Sequence, residues 1–366
     1  MAEEDKNSFQ LGLFATNTWG ALTKTLAPER WEASWENNLA AARMAEKGGL
    51  DFILPFGVWT SLHGDAPTDG HALEVLTWAA GMLQATERIT VFGTVHTPFV
   101  HPVMAAKQCV TCDHIGGGRF GLNIVSGYNK TDFELFGAPM LDHDERYAFT
   151  EEWMTIVKRL WSESTPFDHE GKYFQLKGAQ ANPMPIGDPK IISAGSSEAG
   201  RRFAAKHADF LFMYILQIEG LSEEVKAVRN VEGGKDLDLF GSCVVICRPT
   251  REEAEEYFQY VVHEHGDWAA ADYWETIASG TQSIPPNSLP MLRERMITGQ
   301  SIMLLKGDPK DVAQQFKAIH DAGLNGMAFG LVNFIDELPI IIDQVIPEME
   351  KLGLRVPGTG LVDSAH

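Results

Sequence analysis

The stretch IGGGRFGLNIVSGYNK, Ile115 to Lys130, decides between two α/β folds, because it holds a complete G-x-G-x-x-G in Gly116, Gly118 and Gly121. That pattern marks a dinucleotide site only where a strand ends and a helix begins, so that the pyrophosphate meets a helix N-terminus. Here the order is reversed. The preceding HPVMAAKQCVTCDHI reads as a helix, and the following RFGLNIV is a short apolar run with strand character. The glycines are therefore expected to stop a helix and turn the chain into a strand. The chemistry is expected beyond the strand's far end.

Working outward, short apolar runs alternate with amphipathic ones along the whole chain. Strands are expected at 9–14, 50–56, 89–95, 119–125, 190–195, 209–215, 240–247 and 326–332. Helices such as SWENNLAAARMAEKGG, HALEVLTWAAGMLQAT and DPKDVAQQFKAIHDAG lie between them; in the last, Asp308 and Pro309 open the helix and Gly323 stops it. Eight such units favour a (β/α)₈ TIM barrel over a doubly wound sheet. No hinge-like linker interrupts residues 1–366, so one domain is expected. Two segments break the alternation. Residues 162–189 read as a hairpin turning at Glu170-Gly171, and 262–303 lacks a clean period and reads as a lid or a subunit contact.

Bulk properties exclude several classes. With 30 basic against 50 acidic residues the formal charge is -20, which argues against nucleic acid or an anionic membrane as partner. No apolar run approaches a membrane span, and the acidic start MAEEDKNS does not read as a signal peptide, so a cytoplasmic location is expected. Cys109 and Cys112 fall in a helix-like run and Cys243 and Cys247 in a strand; all are expected to be buried thiols. His263-Glu264-His265 prompts a metal-dependent barrel hydrolase, but it lies in the irregular segment without ligand spacing, so no metal site is assigned.

In a barrel the chemistry sits at the C-terminal strand ends. Thr94 ends the third strand, Asn123 lies near the end of the fourth, and AGSSEAG after the fifth places Ser196 and Ser197 at a helix start that suits an anion. A bare N-cap serine reads equally well. In LDHDERY, Asp142 and Glu145 have capping-box spacing, with Arg146 and Tyr147 in the first turn. A cation there opposes the helix dipole, so Arg146 serves either a phosphate or an ion pair with Asp144 or Glu145.

The ordered set GGRFGLNIVSGYNKTDFELFG, HDERY, GKYFQLK and ISAGSSEAGRRFAAKHADF resembles the bacterial luciferase-like flavin-dependent monooxygenases, most of all their pyrimidine and dimethylsulfone monooxygenase group. The resemblance extends through ERITVFGTVHTPFVHPVMAAKQ to the closing GDPKDVAQQF and AGLNGMAFGL. It implies a barrel that takes reduced FMN (FMNH2) from a separate NAD(P)H:flavin reductase and uses molecular oxygen on a small-molecule substrate, as a homodimer or homotetramer. It implies Gly57, Val58, Asn123, Asp132, Arg146, Tyr147, Ser196 and Ser197 as flavin contacts, with Asp132 standing where the pyrimidine enzymes have a glutamate. Thr94 and Asn123 match an oxygen pocket beside the flavin N5, with oxygen attachment at N5 or C4a left open. PFGVWTSLHG, 55–64, departs from the more basic turn of the pyrimidine enzymes, so the substrate differs more than the cofactor.

Around the first two strand ends Phe14, Trp19 and Trp59 are candidate substrate walls, and His63, His71 and His96 candidate proton donors. The reaction expected is oxygenation with cleavage of a C–N or C–S bond in a small, flat heteroaromatic or sulfone-like compound. The alternatives are an F420-dependent oxidoreductase on the same fold, the metal hydrolase, and a flavin-binding relative without activity.

Overall fold

The structure is a computed structural model that describes residues 9–195, 197–279 and 289–357. Its strands are β1 (Gln10–Phe14), β2 (Phe52–Leu54), β3 (Thr90–His96), β4 (Phe120–Val125), β5 (Phe167–Glu170), β6 (Gln175–Ala179), β7 (Lys190–Ala194), β8 (Phe210–Met213), β9 (Asp238–Cys247), β10 (Met303–Gly307) and β11 (Gly326–Gly330). The parallel strands β1, β2, β3, β4, β7, β8, β9 and β11 alternate with helices and fall on the eight runs expected from the sequence, giving a (β/α)₈ barrel fold. β5 and β6 form the expected antiparallel hairpin. Among the described residues, no helix is long and apolar enough to cross a membrane.

The chain divides into two compact units. One is built from residues up to Leu73, Tyr214–Val225 and Leu239 onward, the other from Glu74–Met213 and Lys226–Asp238. In the first, parallel ladders run in the order β10-β9-β11-β1-β2. In the second the parallel order is β3-β4-β7-β8.

Two expectations about the irregular segment are corrected. The described residues of 262–303 are largely regular: the helix Trp268–Ser279 follows a π-helical stretch Gln259–Glu264, and the helix Leu289–Gly299 leads into β10. Their alanines, aromatics and long side chains support helix without a single apolar stripe, so periodicity gave no signal. β10 is a further strand, parallel to β9, and the helix Pro309–Asp321 follows it. That helix opens as expected, Asp308 accepting from the amides of Lys310 and Asp311 at 2.9 Å each.

The Ile115–Lys130 stretch folds as its order of elements dictates. Helix Pro102–Ile115 ends at Gly116, whose N–H donates to Cys112 O at 2.9 Å, and Gly118 takes a left-handed φ of +88° before β4. Arg119 then ties the turn down, donating to the carbonyls of Leu83, Thr86 and Ile89 at 2.8–2.9 Å. The third glycine serves packing. A Cβ on Gly121 would lie 2.2 Å from the ring of Phe92, the residue opposite it on β3. All four cysteines are buried and free of disulfides.

Because Phe92 is 4% exposed and edge-packed on Phe210, its ring has little room to retreat. Gly121→Ala is expected to cost about 1–3 kcal/mol in urea unfolding, and Phe92→Leu in the same chain to restore part of it. An unchanged midpoint for Gly121→Ala would refute this packing.

Candidate functional site

The candidate residues fall in both units, and each set is built locally. In the unit containing β3 and β4, parallel register pairs Thr94 with Asn123 near the C-terminal strand ends. Both side chains are buried, and Asn123 Nδ2 donates to Thr94 Oγ1 at 3.1 Å. Asn123 Oδ1 is buried without a hydrogen-bond partner. An amide oxygen left so costs about 1–3 kcal/mol, a cost usually met by a ligand or water. Two residues on, His96 is buried and stacked on Phe99 with centroids 5.8 Å apart. Burial pushes its pKa down to about 4. The imidazole is therefore uncharged at neutral pH and serves as a neutral hydrogen-bonding group, not as a charged proton donor.

Ser197 caps the helix Glu198–His207, its Oγ accepting from Gly200 N at 3.1 Å, while Ser196 lies outside the described residues. Tyr147 closes over this turn. Its hydroxyl occupies the space a Cβ would need at both Gly195 and Gly200, 2.6 Å away in each case, and its ring packs on Phe203. The glycines thus admit a phenol against a helix N-terminus, whose N–H groups suit acceptor atoms. Nearby in sequence, Arg201 has a buried Nε without a partner, a cation that the sequence reading passed over.

Asp142 caps the helix His143–Ser162 by position but makes no side-chain cap bond, so the expected capping box does not form. Glu145 instead meets Lys172 at 2.6 Å, and Asp144 meets His143 at 2.8 Å. Those pairings remove the ion-pair reading of Arg146, which donates to Leu141 O at 2.8 Å and has no ion pair among the described residues. Asp132 is buried in the first turn of Lys130–Phe136, its carboxylate taking the Asn129 amide at 3.2 Å.

In the other unit Gly57, Val58 and Trp59 are half-buried in the loop after β2. Asn17 clamps both ends of that loop. It exchanges bonds with Phe56 (Nδ2 to O 2.9 Å, N to Oδ1 2.8 Å) and donates to Leu73 O at 3.1 Å. Trp19 N donates to His71 O at 3.0 Å and its ring meets the imidazole edge-on. His63 packs edge-on against Tyr273, 4.7 Å between centroids, and Phe14 against Phe56. Asp69 accepts from Lys24 Nζ at 3.0 Å and from Ser61 Oγ, and holds its carboxyl below the usual range against the cost of burial. His263 faces Glu294 at 3.6 Å, whereas His265 packs on Tyr260, so the H-x-H pair does not converge.

Sequence reasoning also missed a buried cluster. Tyr257 OH lies 3.3 Å from both Glu29 and Glu337, and Arg248 stacks over the Tyr257 ring at 3.5 Å. Burial raises the Glu337 pKa to about 7.

The sequence pattern described as luciferase-like monooxygenase matches residues 9–326. The chain is 32% identical over 365 residues to a pyrimidine monooxygenase RutA of Escherichia coli O139:H28, covering 96% of this chain and 91% of that one. It is 24% identical over 355 residues to an FMNH2-dependent dimethylsulfone monooxygenase of Pseudomonas fluorescens, covering 95% and 96%. A crystal structure of riboflavin lyase (RcaE) with modified FMN and riboflavin shares the fold with a TM-score of 0.84 at 22% identity, covering 97% and 94%.

The depressed pKa of His96 has a testable sign. With its folded value near 4 and an unfolded value near 6.5, its contribution is fully present above pH 6.5 and is lost as pH falls toward 4. A shift of that size is worth roughly 3 kcal/mol. His96→Phe should flatten the acid limb of stability between those pH values, and NMR should show His96 uncharged at pH 5.5; titration near 6.5 in the folded protein would refute it.

Proposed function

The chain belongs to the luciferase-like monooxygenase family, and from that premise we propose that it uses reduced FMN, delivered by a separate NAD(P)H:flavin reductase, and molecular oxygen to oxygenate a small, flat heteroaromatic or sulfone-like compound with cleavage of a C–N or C–S bond. The observation that carries the reading is the Thr94–Asn123 pair, buried at adjacent strand ends with Asn123 Oδ1 unpartnered. The homologues named for pyrimidine and dimethylsulfone oxygenation support the reaction class.

Reduced FMN, when bound, supplies the two electrons that take one oxygen atom of O2 to water while the other enters the substrate. The chain's own residues bind and orient. Ser197, Tyr147 and Arg146 would hold the phosphate: the serine and the helix N-terminus offer donors, Tyr147 OH stands against the Gly195–Gly200 turn, and the Arg146 guanidinium has no carboxylate partner among the described residues. Gly57, Val58 and Asp132 are assigned to the flavin ring system on the family resemblance. Asn123 offers an acceptor and Thr94 a hydroxyl in a buried setting, where each hydrogen bond counts for more than in water. Neutral His96 adds a polar group beside them without introducing charge. Trp19, Trp59 and His63 are proposed to line the substrate, and the chain to work as a homodimer or homotetramer in the cytoplasm.

Single turnover with prereduced FMN and isotopic oxygen, against panels of pyrimidines, other heterocycles and sulfones, tests this reading. Labelled oxygen in one product is the expected result; its absence from every product sinks the reading, and turnover with reduced F420 in place of FMN would establish the rival. Thr94→Val with Asn123→Ala should leave FMN affinity within about threefold while most oxygen consumed appears as hydrogen peroxide. Arg146→Ala should weaken FMN at least tenfold with little effect on coupling at saturating flavin.

A further inference from the structure

Asp267 is fully buried, and no Lys, Arg or His among the described residues pairs with it. Its carboxylate is spent on backbone. Oδ1 accepts from Asp65 N at 2.9 Å and Ala270 N at 3.1 Å, and Oδ2 accepts from Ala66 N at 2.9 Å. Its own N–H donates to Lys24 O at 2.8 Å. The side chain thus joins the loop after β2 to the start of helix Trp268–Ser279, and the backbone N–H of the same residue adds the segment after β1. The loop is shaped to receive it: a Cβ on Gly64 would stand 2.3 Å from Asp267 Oδ2 and 2.7 Å from the Ala270 methyl. The His63–Tyr273 ring pair closes the same junction one helical turn further on.

We propose that Asp267 is a positioning residue that locks the loop Gly57–His71 and the beginning of helix Trp268–Ser279 into one body, fixing where Trp59 and His63 stand. This rests on the reading of that loop as substrate wall. A lid at 262–303 could then not open at the helix start without carrying the loop, because three backbone N–H groups, that of Ala270 buried, would lose their acceptor together. A carboxylate suits the task, since it accepts along two edges at once and the helix N-terminus favours its charge.

The test uses the full chain and needs no substrate. By hydrogen exchange, the amides of Asp65, Ala66 and Ala270 should open at one common rate in the wild type. Asp267→Asn turns one accepting edge into a donor, and Gly64→Ala pushes the carboxylate from the loop side. Either variant should speed exchange at all three amides tenfold or more, while Thr94–Asn123 amides on β3 and β4 stay unchanged. With 5-fluorotryptophan, the Trp59 ¹⁹F line, assigned by Trp59→Phe, should be single in the wild type and broadened or split in both variants. The proposal is overturned if Ala270 stays protected while Asp65 and Ala66 exchange freely, or if folded variants keep wild-type exchange and a single Trp59 line. Failure of the functional reading is seen separately, as absence of labelled oxygen from every wild-type product, and leaves these results standing.

Discussion

The register of β3 against β4 is the constraint on which the rest depends. Because side chains alternate with a period of two, pairing Phe92 with Gly121 also pairs Thr94 with Asn123. One ladder therefore solves a packing problem and a chemical one. The ring of Phe92 fills the space a side chain on Gly121 would take, and two residues along the same face the amide finds the hydroxyl. A slip of β4 by one residue would turn Asn123 to the opposite face, away from Thr94, and bring Phe92 against a Leu or a Phe. The glycine that looked like part of a phosphate fingerprint is what keeps the polar pair in register.

How the acidic chain manages charge follows a consistent rule: buried carboxylates are placed where backbone donors or a single cation meet them. Asp51 takes Arg355 at 2.7 Å, and Arg355 also donates to Phe9 O at 3.0 Å, tying three distant segments of one unit. Asp113, fully buried, accepts from Ile186 N at 2.7 Å and Gly187 N at 3.0 Å. Removing such a carboxylate would strand buried donors, and that penalty exceeds what the pair itself contributes. Glu337 meets its cation, Arg248, only at 3.4 Å. Arg248 and Tyr257 both reach its Oε1, Oε2 has no partner, and desolvation wins, which is why its pKa rises while that of Asp69 falls.

What was legible in the sequence was local. Eight strands could be placed because each is a short apolar run bounded by turn residues, and the stop at Gly116 because the order of elements around it was unambiguous. The Asp308 cap was legible for the same reason: cap, proline and first turn are contiguous. The capping box at Asp142 had the right spacing yet did not form, because Glu145 finds Lys172, 27 residues away in sequence, at 2.6 Å. Spacing states what can pair, not what competes for it. The helix Trp268–Ser279 was hidden by a composition rich in alanine and aromatics, and the helix and strand that follow it by the lack of a clean apolar period. Asp267 and the Glu29–Tyr257–Glu337 cluster were beyond reach for a different reason: the partners that join distant segments lie 80 to 228 residues away, and no local pattern marks them.

The two sets of site residues differ in how they are held, and that difference bears on how such a fold changes substrate. Thr94 and Asn123 stand on strands, Tyr147 and Ser197 at helix starts, so each is fixed by ladder or helix hydrogen bonds that any substitution in the region must respect. Trp59 and His63 stand on a loop whose shape is set by side-chain acceptors, Asn17 at its ends and Asp267 from outside it, with Asp69 bonding Gly64 N from within. Those acceptors bind backbone N–H groups, apart from the Lys24 and Ser61 contacts of Asp69, and backbone N–H groups are present whatever the side chain. The residues proposed as substrate wall can therefore be exchanged without loosening the loop, while those proposed to hold the cofactor cannot be moved without disturbing a strand or a cap. On those assignments, divergence within residues 55–64 changes the wall and leaves the course of the loop as it is.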